Sequence, residues 1–302
     1  MNIDLKKIGT EKRNLRTIHI DQMSTEEMVR AMNEEDKIVA YAVEAVLPQI
    51  AKTVDAIVKT FEAGGRMIYL GAGTSGRIGL IDAVECQPTF SVSPDMVQCI
   101  MAGGMKAMVK AVEGAEDNKV MAVEDLKAIN LSNLDIVIGI AASGRTPYVI
   151  GGIEYAKKLG CLTSCIVTSV NSELASLVSY PIEAITGAEP LTGSTRMKSG
   201  TAQKMICNML STASMIKMGK VYENLMIDVQ ATNEKLVKRA QSILEEALQI
   251  SNEEATLLLQ KYHTVKKALF SQLSGIQDEI TIDQFLNAAG GNIHKALKEA
   301  GK

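Results

Sequence analysis

Residues 66–90 constrain the fold of this chain more than any other stretch, because they place a short apolar strand, a glycine-rich turn and a helical segment in direct succession. Met67–Leu70 is an apolar run bounded by glycines, which is typical of a strand covered on both faces. The turn that follows contains three glycines and two hydroxyl residues, namely Gly71, Gly73, Gly76, Thr74 and Ser75. Glycines let the backbone N–H groups approach a ligand, and a helix N-terminus attracts anions. The turn therefore predicts a phosphate-binding loop, while a glycine turn that only packs a helix on a strand remains the alternative.

The same turn matches the glycine pattern of dinucleotide-binding folds, but its surroundings favour a smaller ligand. That fingerprint also requires an acidic residue about 20 positions further on, where it binds a ribose hydroxyl. The next strand-like run, Val97–Met101, ends instead in Ala102, Gly103 and Gly104. Side-chain hydroxyls inside the turn also occupy space that a pyrophosphate would need. A compact phosphate monoester is therefore the preferred ligand.

Five apolar runs predict strands, and most of them are separated by helical patterns. They are Met67–Leu70, Val97–Met101, Asp135–Ala141, Leu162–Thr168 and Pro181–Ile185. This alternation predicts an α/β fold, a five-stranded parallel sheet flanked by helices. Ligands of such sheets bind at the carboxyl ends of the strands. The third strand ends there in a second hydroxyl-rich turn, Ala141–Pro147, so that two such turns belong to one sheet.

A third loop, Thr186–Gly200, is rich in hydroxyl and cationic residues and leads into a helix predicted over Thr201–Met218. Long loops without secondary structure in a compact domain are usually functional. The third loop is therefore expected to face a ligand.

Helical patterns cover both ends of the chain. Ser24 and Glu27 form a capping box that starts a helix, and Pro48 predicts a kink or break in the apolar stripe that follows. The C-terminal part has three predicted helix starts, at Ser251, Thr264 and Thr281. The sequence thus predicts two domains, a sheet domain with an N-terminal helical arm over 1–240 and a small helical bundle over 241–302.

Composition limits the classes of partner. The 302 residues carry 32 basic and 35 acidic side chains, for a net charge of −3, with no long run of one sign. This balance gives no reason to expect a nucleic acid or a membrane surface as partner. Because the sequence has neither an apolar run of about 18 residues nor an apolar segment at its start, a cytoplasmic protein is expected.

Cysteines and histidines give no sign of a metal site. The five cysteines lack a Cys-x-x-Cys pair and the three histidines lie far apart in sequence, so that neither a metal nor another cofactor is expected. Acid–base chemistry then falls to carboxylates. Two stand out by position, Glu85 near the end of the helix that begins at the first loop and Glu116 beside Gly114, which breaks a helical pattern.

Five segments resemble the N-acetylmuramic acid 6-phosphate etherases in the order in which they occur. They are Gly71–Arg77, Glu85–Thr89, Ala111–Asp117, Ala142–Pro147 and Ser194–Lys204. The opening Thr10–Asn14 fits as well, so that the resemblance covers nearly the whole chain. The departures from the family pattern, at Val84, Gln87 and Ser199, remove no catalytic group.

The resemblance implies a sugar-isomerase-type (SIS) domain that binds phosphosugars, works as a homodimer and precedes a small helical domain similar to ubiquitin-associated bundles. It also implies a reaction, cleavage of the lactyl ether of N-acetylmuramic acid 6-phosphate to N-acetylglucosamine 6-phosphate and D-lactate. By this resemblance Glu85 matches the family's proton donor and Glu116 its second catalytic acid. Our hypothesis is that Glu116 removes the proton at C2 while Glu85 protonates the departing oxygen, after which water adds.

The three loops are expected to supply the phosphosugar contacts. Thr74, Ser75, Ser143 and Thr146 are the predicted donors to the phosphate, and Ser194, Thr195 and Lys198 are predicted to close over the sugar. The backbone of the glycines is expected to contribute as well. The predicted phosphosugar-binding residues are therefore Gly73, Thr74, Ser75, Gly76, Ser143, Gly144, Thr146, Ser194, Thr195 and Lys198. For Arg77 and Arg145 two roles stay open, direct contact with the phosphate or pairing with acids that hold the loops.

Other functions are compatible with parts of this pattern. A non-catalytic phosphosugar sensor needs the same loops, since a regulatory protein of glucokinase shares this type of domain, and an aldose–ketose isomerase also begins by removing a proton from C2. A sensor needs no acid–base pair, and an isomerase has no use for a donor aimed at C3. The presence of both Glu85 and Glu116 therefore favours the etherase. A pure interaction protein is suggested only by the C-terminal bundle.

Overall fold

The computed structural model describes residues 9–110, 112–229 and 234–302, which divide into two compact units. The first unit contains the described residues up to Val84 together with Pro94–Ser211, and the second contains Glu85–Ser93 and Thr212–Lys302. The predicted division at residue 240 stays a prediction, and a helix at Glu234–Leu248 spans that position.

A parallel sheet forms the middle of the first unit. Its strands are β1 (Met67–Gly71), β2 (Val97–Met101), β3 (Ile136–Ile140), β4 (Leu162–Val167) and β5 (Tyr180–Glu183). They are hydrogen-bonded in the order β2-β1-β3-β4-β5. Every predicted strand is present, with ends that differ by no more than two residues, so that the predicted five-stranded parallel sheet is confirmed.

Helices flank the sheet, as predicted. Their bounds are α1 (Thr25–Glu44), α2 (Leu47–Glu62), α3 (Gly73–Phe90), α4 (Lys106–Val109), α5 (Lys119–Ala128), α6 (Pro147–Leu159), α7 (Glu173–Leu177) and α8 (Lys198–Lys217). The predicted capping box at Ser24 and Glu27 is present at the start of α1. Pro48 marks a break rather than a kink, because α1 ends at Glu44 and Pro48 lies in the first turn of α2.

Strand β1 is buried on both faces because its side chains alternate between two layers of helices. Ile68 and Leu70 belong to a core cluster with Val149 and Ile153 of α6. Tyr69 points to the other side, where its hydroxyl donates to Asp82 of α3 at 2.9 Å. The approach of α6 requires a glycine, since a Cβ at Gly152 would lie 2.2 Å from a methyl group of Leu70.

The start of β1 is tied to the start of β3 by a buried carboxylate. Asp135 is 1% exposed and accepts hydrogen bonds from the backbone N–H of Arg66 at 2.9 Å and from its guanidinium at 2.7 Å. Burial alone would raise the pKa of Asp135, but the bonds from Arg66 and from the Ser132 backbone hold it below its ordinary value. This pair helps fix the register in which Met67 lies opposite Ile136.

The second unit is mainly helical. It contains a short hairpin, β6 (Val221–Tyr222) and β7 (Leu225–Met226), which the sequence analysis did not predict. Its helices are α9 (Glu234–Leu248), α10 (Asn252–Tyr262), α11 (Val265–Ser274), α12 (Glu279–Ala288) and α13 (Ile293–Glu299). They share one apolar core that includes Leu244, Tyr262, Phe270 and Ile282.

Two of the three helix starts predicted here are confirmed. Ser251 and Thr264 are the N-cap residues of α10 and α11. The third prediction, Thr281, is wrong, because Asp278 is the N-cap residue and accepts from the backbone N–H of Thr281 at 2.9 Å. A carboxylate three residues upstream therefore caps the helix, and Thr281 lies inside its first turn. None of the helices in the described part of the chain is long and apolar enough to cross a membrane.

Candidate active site

The candidate site, apart from Glu85, lies in the first unit, where the strand order of the sheet reverses between β1 and β3. From this point the chain continues to β2 on one side and to β4 on the other. Such a reversal leaves a crevice at the carboxyl ends of the two strands, where ligands of open α/β sheets bind. Gly71, the last residue of β1, lies opposite Ile140, the last residue of β3. The first two predicted loops, which follow these residues, therefore emerge side by side.

Each glycine of the first loop has its own structural reason. A Cβ at Gly71 would lie 2.7 Å from the backbone nitrogen of Gly76, and one at Gly76 would lie 2.8 Å from the side chain of Met101. Gly73, the first residue of α3, has a positive φ of 54° with open space around it. Gly71 and Gly76 are thus required by packing, as the alternative interpretation of the turn holds. The free space beside Gly73 is compatible with a ligand.

Ser75 makes a contact that the sequence analysis missed. Its hydroxyl donates to the side-chain oxygen of Gln203 on α8 at 2.9 Å. Gln203 is 1% exposed, and its amide nitrogen has no hydrogen-bond partner among the described residues. Gln203 falls inside a segment that resembles the etherases, but nothing in the sequence points to Ser75 as its partner.

The second loop brings two predicted site residues together. Thr146 is the N-cap residue of α6, yet its hydroxyl makes no bond to that helix and donates instead to the carboxylate of Glu116 at 3.2 Å. The backbone carbonyl of Glu116 also accepts from the N–H of Tyr148 at 2.9 Å. Thr146 is buried and the Glu116 side chain is exposed. The carboxylate is therefore held at the N-terminus of α6 and remains open to a ligand.

Ser143 and Gly144 shape the same loop. The Ser143 hydroxyl is partly exposed and accepts from the backbone N–H of Arg145 at 3.3 Å, which leaves its own proton available. Gly144 has a positive φ of 63°, and a Cβ there would lie 2.4 Å from that of Ser172. Packing thus requires a glycine at position 144. The Ser143 hydroxyl is the one in this loop that is free to donate to a ligand.

Glu85 lies on α3 near its C-terminal end, as predicted, and its side chain is exposed. The carboxylate is therefore accessible. Its neighbours in the same helix are Val84, which is 59% exposed, and the buried Cys86.

Arg77 and Arg145 bind backbone carbonyls rather than the acids that we expected as structural partners. The Arg77 guanidinium donates to the carbonyls of Ala107 at 2.7 Å and Met108 at 3.1 Å, both in α4. Arg145 donates to the carbonyl of Asn171 at 3.4 Å. Both arginines hold neighbouring segments in this structure, but through backbone carbonyls and not through the acids named in the sequence analysis, and direct contact with the phosphate stays a prediction.

The third loop contains Ser194 and Thr195, which are partly exposed, and Lys198, which is buried. The Lys198 ammonium group lies 2.6 Å from the carboxylate of Glu35 on α1, and both side chains are at most 2% exposed. Arg16 forms a second ion pair with Glu35 at 2.5 Å. This arrangement corrects the expected position of Lys198, whose ammonium is paired with the buried Glu35.

Glu189 explains why α8 begins at Lys198 and not at the predicted Thr201. Its carboxylate accepts from the backbone N–H of Lys198 at 2.8 Å and from that of Ser199 at 2.9 Å. Backbone N–H groups at a helix start need such partners, and a negative charge is favoured there. The carboxylate lies at least nine residues upstream of the groups that it caps, so no local cap pattern reveals it.

Comparisons with known proteins identify the class of this fold. The SIS domain model matches residues 111–213, and the model for the N-terminal SIS domain of glucokinase regulatory protein matches residues 49–157. The model for the C-terminal lid domain of glucokinase regulatory protein matches residues 223–289. Among solved structures, a candidate phosphosugar isomerase involved in capsule formation from Bacteroides fragilis is 21% identical with a TM-score of 0.50, and the match covers 65% of this chain and 94% of that one. The fold is therefore that of the SIS class.

Relatives narrow the class to one family. A chain from Clostridium beijerinckii named N-acetylmuramic acid 6-phosphate etherase is 53% identical over 300 residues, which are 99% of this chain and 98% of that one. A chain of the same name from Bacillus cereus is 52% identical over 294 residues, which are 97% of this chain and 100% of that one. The chain belongs to the N-acetylmuramic acid 6-phosphate etherase family, as the five sequence segments predict.

Proposed function

We propose that this protein cleaves the D-lactyl ether of N-acetylmuramic acid 6-phosphate with water, to give N-acetylglucosamine 6-phosphate and D-lactate. The observation that carries the proposal is the hydrogen bond from Thr146 to the Glu116 carboxylate, which holds an accessible base beside a loop suited to phosphate. Full-length similarity to proteins named for this activity supports the same substrate.

Glu116 is the proposed base. In the open-chain sugar the hydrogen at C2 lies next to an aldehyde, so that a carboxylate can remove it as a proton. The Thr146 hydroxyl and the Tyr148 backbone N–H fix the position of Glu116 by two separate bonds, one to the side chain and one to the main chain. A base fixed in this way needs little reorientation when the substrate binds.

Glu85 is the proposed acid. Once the C2 proton has been removed, the lactate oxygen leaves C3 and must be protonated as the bond breaks. Water then adds to the unsaturated aldehyde at C3, with Glu85 now accepting the proton of the water and C2 receiving a proton from the other carboxyl group. Atoms balance in this sequence, because one water enters and one lactate leaves. The accessible side chain of Glu85 is compatible with this role.

The phosphate is proposed to bind between the first two loops. Thr74 and Ser143 have hydroxyls that make no side-chain donation among the described residues, and Ser75 is available if it exchanges Gln203 for the ligand. Backbone N–H groups in the first turn of α3, from Gly73 to Ser75, add further donors, whereas the N–H of Gly76 already donates to the carbonyl of Ala72 at 3.1 Å. Ser194 and Thr195 are the proposed sugar contacts from the third loop, and Gly144 with Thr146 completes the second. Lys198 is proposed to hold the third loop in place through its ion pair with Glu35.

The proposal extends to the assembly and location of the protein. Family membership supports a homodimer that works in the cytoplasm without a nucleic-acid partner. The amino sugar phosphate that the family is named for fits a role in recycling of the cell wall.

A phosphosugar-binding regulator is the second candidate. It is favoured by the matches to two domains of glucokinase regulatory protein, which cover residues 49–157 and 223–289. A regulator would bind the phosphosugar through the same loops and release no product. The two candidates therefore differ in one measurable property, turnover.

The test is to incubate the purified full-length protein with N-acetylmuramic acid 6-phosphate and to assay D-lactate. Stoichiometric excess of lactate over protein supports the etherase, and a Ser143→Ala variant should raise KM because it removes a phosphate donor. Binding of the phosphosugar without release of lactate would overturn the proposed activity and favour the regulator. Interconversion with a ketose phosphate would instead identify an isomerase.

A further inference from the structure

A second cavity lies in the first unit, between the N-terminal arm and residues of the third loop. It has a volume of about 470 Å³ and is formed by residues of the N-terminal arm, of α1 and of the segment that follows β5. Its lining includes Arg13, Arg16, Ile38, Thr186 and Lys198. The segment from Ile185 to Ala188 follows β5, which is two strands away from β3 in the sheet. Because neighbouring strands are about 5 Å apart, β5 is about 10 Å from β3 in the sheet.

The cavity wall carries an excess of positive charge. Three cations line it, Arg13, Arg16 and Lys198, and none of the described lining residues is acidic. One buried carboxylate behind the wall, Glu35, pairs with both Arg16 and Lys198. Arg13 is exposed and makes no ion pair among the described residues. Arg16 and Lys198 share one carboxylate, so that with the free guanidinium of Arg13 the wall favours binding of an anion. The planar guanidinium can form two parallel hydrogen bonds to a carboxylate or a phosphate.

One residue of the cavity wall has a buried hydroxyl without a partner. Thr186 lines the cavity and is 2% exposed, and its Oγ1 has no hydrogen-bond partner among the described residues. A buried hydroxyl without a partner costs about 1–3 kcal/mol, so native proteins rarely leave one unpaired. An acceptor oxygen in the cavity would satisfy this hydroxyl, and an oxyanion is the acceptor that the surrounding cations favour.

We propose that this cavity is a second binding site, for a small oxyanion such as a phosphate monoester or a carboxylate, held by Arg13 and the hydroxyl of Thr186. The volume is within the range of cavities that bind small molecules. The site joins the N-terminal arm to the third loop, because Asn14 donates to the carbonyl of Ala188 and Thr17 to that of Pro190. An occupant would therefore stabilise the contact between these two segments. The proposal does not rest on the proposed reaction, although the third loop contributes residues to both sites.

Residue-resolved arginine modification tests the site in the full-length protein. The protein is treated with phenylglyoxal with and without inorganic phosphate at matched ionic strength, and the modification of each arginine is followed by mass spectrometry. Arg239 on α9 is the control, since it is exposed and makes no ion pair among the described residues. For a dissociation constant of about 10 mM, about 20 mM phosphate should slow modification of Arg13 roughly threefold and leave Arg239 unchanged. Equal rates with and without phosphate at Arg13 would overturn the proposal.

A Thr186→Val variant separates a ligand site from a packing feature. Because the hydroxyl has no partner, its removal should not lower the thermal midpoint in phosphate-free buffer. Protection of Arg13 by phosphate should fall to the level seen at Arg239. Full protection in this variant would contradict a role for Thr186 in binding. The experiment is then repeated with D-lactate in place of phosphate. Stronger protection of Arg13 by D-lactate identifies a carboxylate as the preferred ligand group, and stronger protection by phosphate identifies a phosphate.

Discussion

Thr146 departs from the usual behaviour of a helix N-cap residue. An N-cap hydroxyl normally accepts from a backbone N–H of its own helix, which stabilises the helix by about 1 kcal/mol. Here the hydroxyl donates to the carboxylate of Glu116, 30 residues upstream, and α6 begins without a side-chain cap. Helix stability is thus given up for the orientation of one acid, which is the pattern expected where a side chain takes part in chemistry.

Replacing Thr146 by valine should therefore slow the reaction more than it harms the fold. A hydrogen bond to a charged group contributes about 1.5–3 kcal/mol, which corresponds to a loss of roughly 10- to 100-fold in kcat/KM. The measurement is the rate of D-lactate release. Thr256→Val is the matched control, because that hydroxyl bonds only within the second unit, to Gln241 and Asn252. A Thr146→Val variant with the wild-type rate would exclude the role proposed for this bond.

Asp82 is a buried acid of α3 with no role in the proposed reaction. It is 6% exposed and accepts from the hydroxyls of Tyr69 at 2.9 Å and Ser211 at 3.1 Å. Burial raises the pKa of Asp82 above its ordinary value of 3.8, and these bonds with the charge of Lys204 offset only part of that rise. The native protein therefore holds the proton of this group more tightly than the unfolded chain does.

This difference makes stability depend on pH in a definite direction. The contribution of Asp82 is fully present below its unfolded pKa of 3.8 and is lost as the pH rises through the higher pKa of the folded state. Asp82→Asn removes the titration but keeps a polar group of similar shape. The free energy of unfolding of the wild type, relative to Asp82→Asn, should fall as the pH rises above about 4 in urea titrations. A difference that stays constant with pH would show that Asp82 does not titrate in this range.

Two carboxylates hold the C-terminal end of the third loop, one from α1 and one from the loop itself. Glu189 caps the start of α8, and Glu35 of α1 pairs with Lys198 and with Arg16 of the N-terminal arm. The arm adds bonds to the carbonyls of Ala188 and Pro190. Ser194 and Thr195 therefore lie on a loop whose flanks are fixed.

Removing Glu35 should leave the Lys198 ammonium buried without a partner. Breaking a buried ion pair in this way costs about 3–5 kcal/mol, so Glu35→Ala should lower the free energy of unfolding by that amount. The neighbouring Glu34→Ala is the control, because its pair with Lys37 is about 60% exposed on both sides and should contribute less than about 1 kcal/mol. Chemical denaturation measures both variants. Equal stability losses in the two variants would contradict the buried network.

Across the whole chain, the sheet could be predicted because its signals are local. Each strand is a short apolar run, and strand order brings the first two loops together at the reversal between β1 and β3. The capping box at Ser24 and the starts at Ser251 and Thr264 were predictable for the same reason, since a cap and its partner are three residues apart. The prediction of a helix start at Thr281 was wrong because Asp278, a stronger hydrogen-bond acceptor, lies three residues upstream and caps the helix instead.

Long-range partners could not be predicted from local patterns. Lys198 was expected to face a sugar because it lies in a polar loop, but its partner Glu35 is 163 residues away in sequence. The contact between Ser75 and Gln203 spans 128 residues, and that between Asn14 and Ala188 spans 174. The resemblance to the etherases identified Glu116, yet only the fold brings Thr146 to it.

The most direct test of the proposed elimination and re-addition of water is to run the reaction in heavy water and to locate deuterium by mass spectrometry. Release of D-lactate should be accompanied by one deuterium at C2 of the N-acetylglucosamine 6-phosphate, because the exposed Glu116 carboxyl exchanges the proton that it has removed for deuterium before it protonates C2. Glu85→Gln and Glu116→Gln should each lose about 100- to 10,000-fold in rate, as expected for general acid–base groups. Lactate released with hydrogen retained at C2, or variants with near-normal rates, would contradict the proposed mechanism.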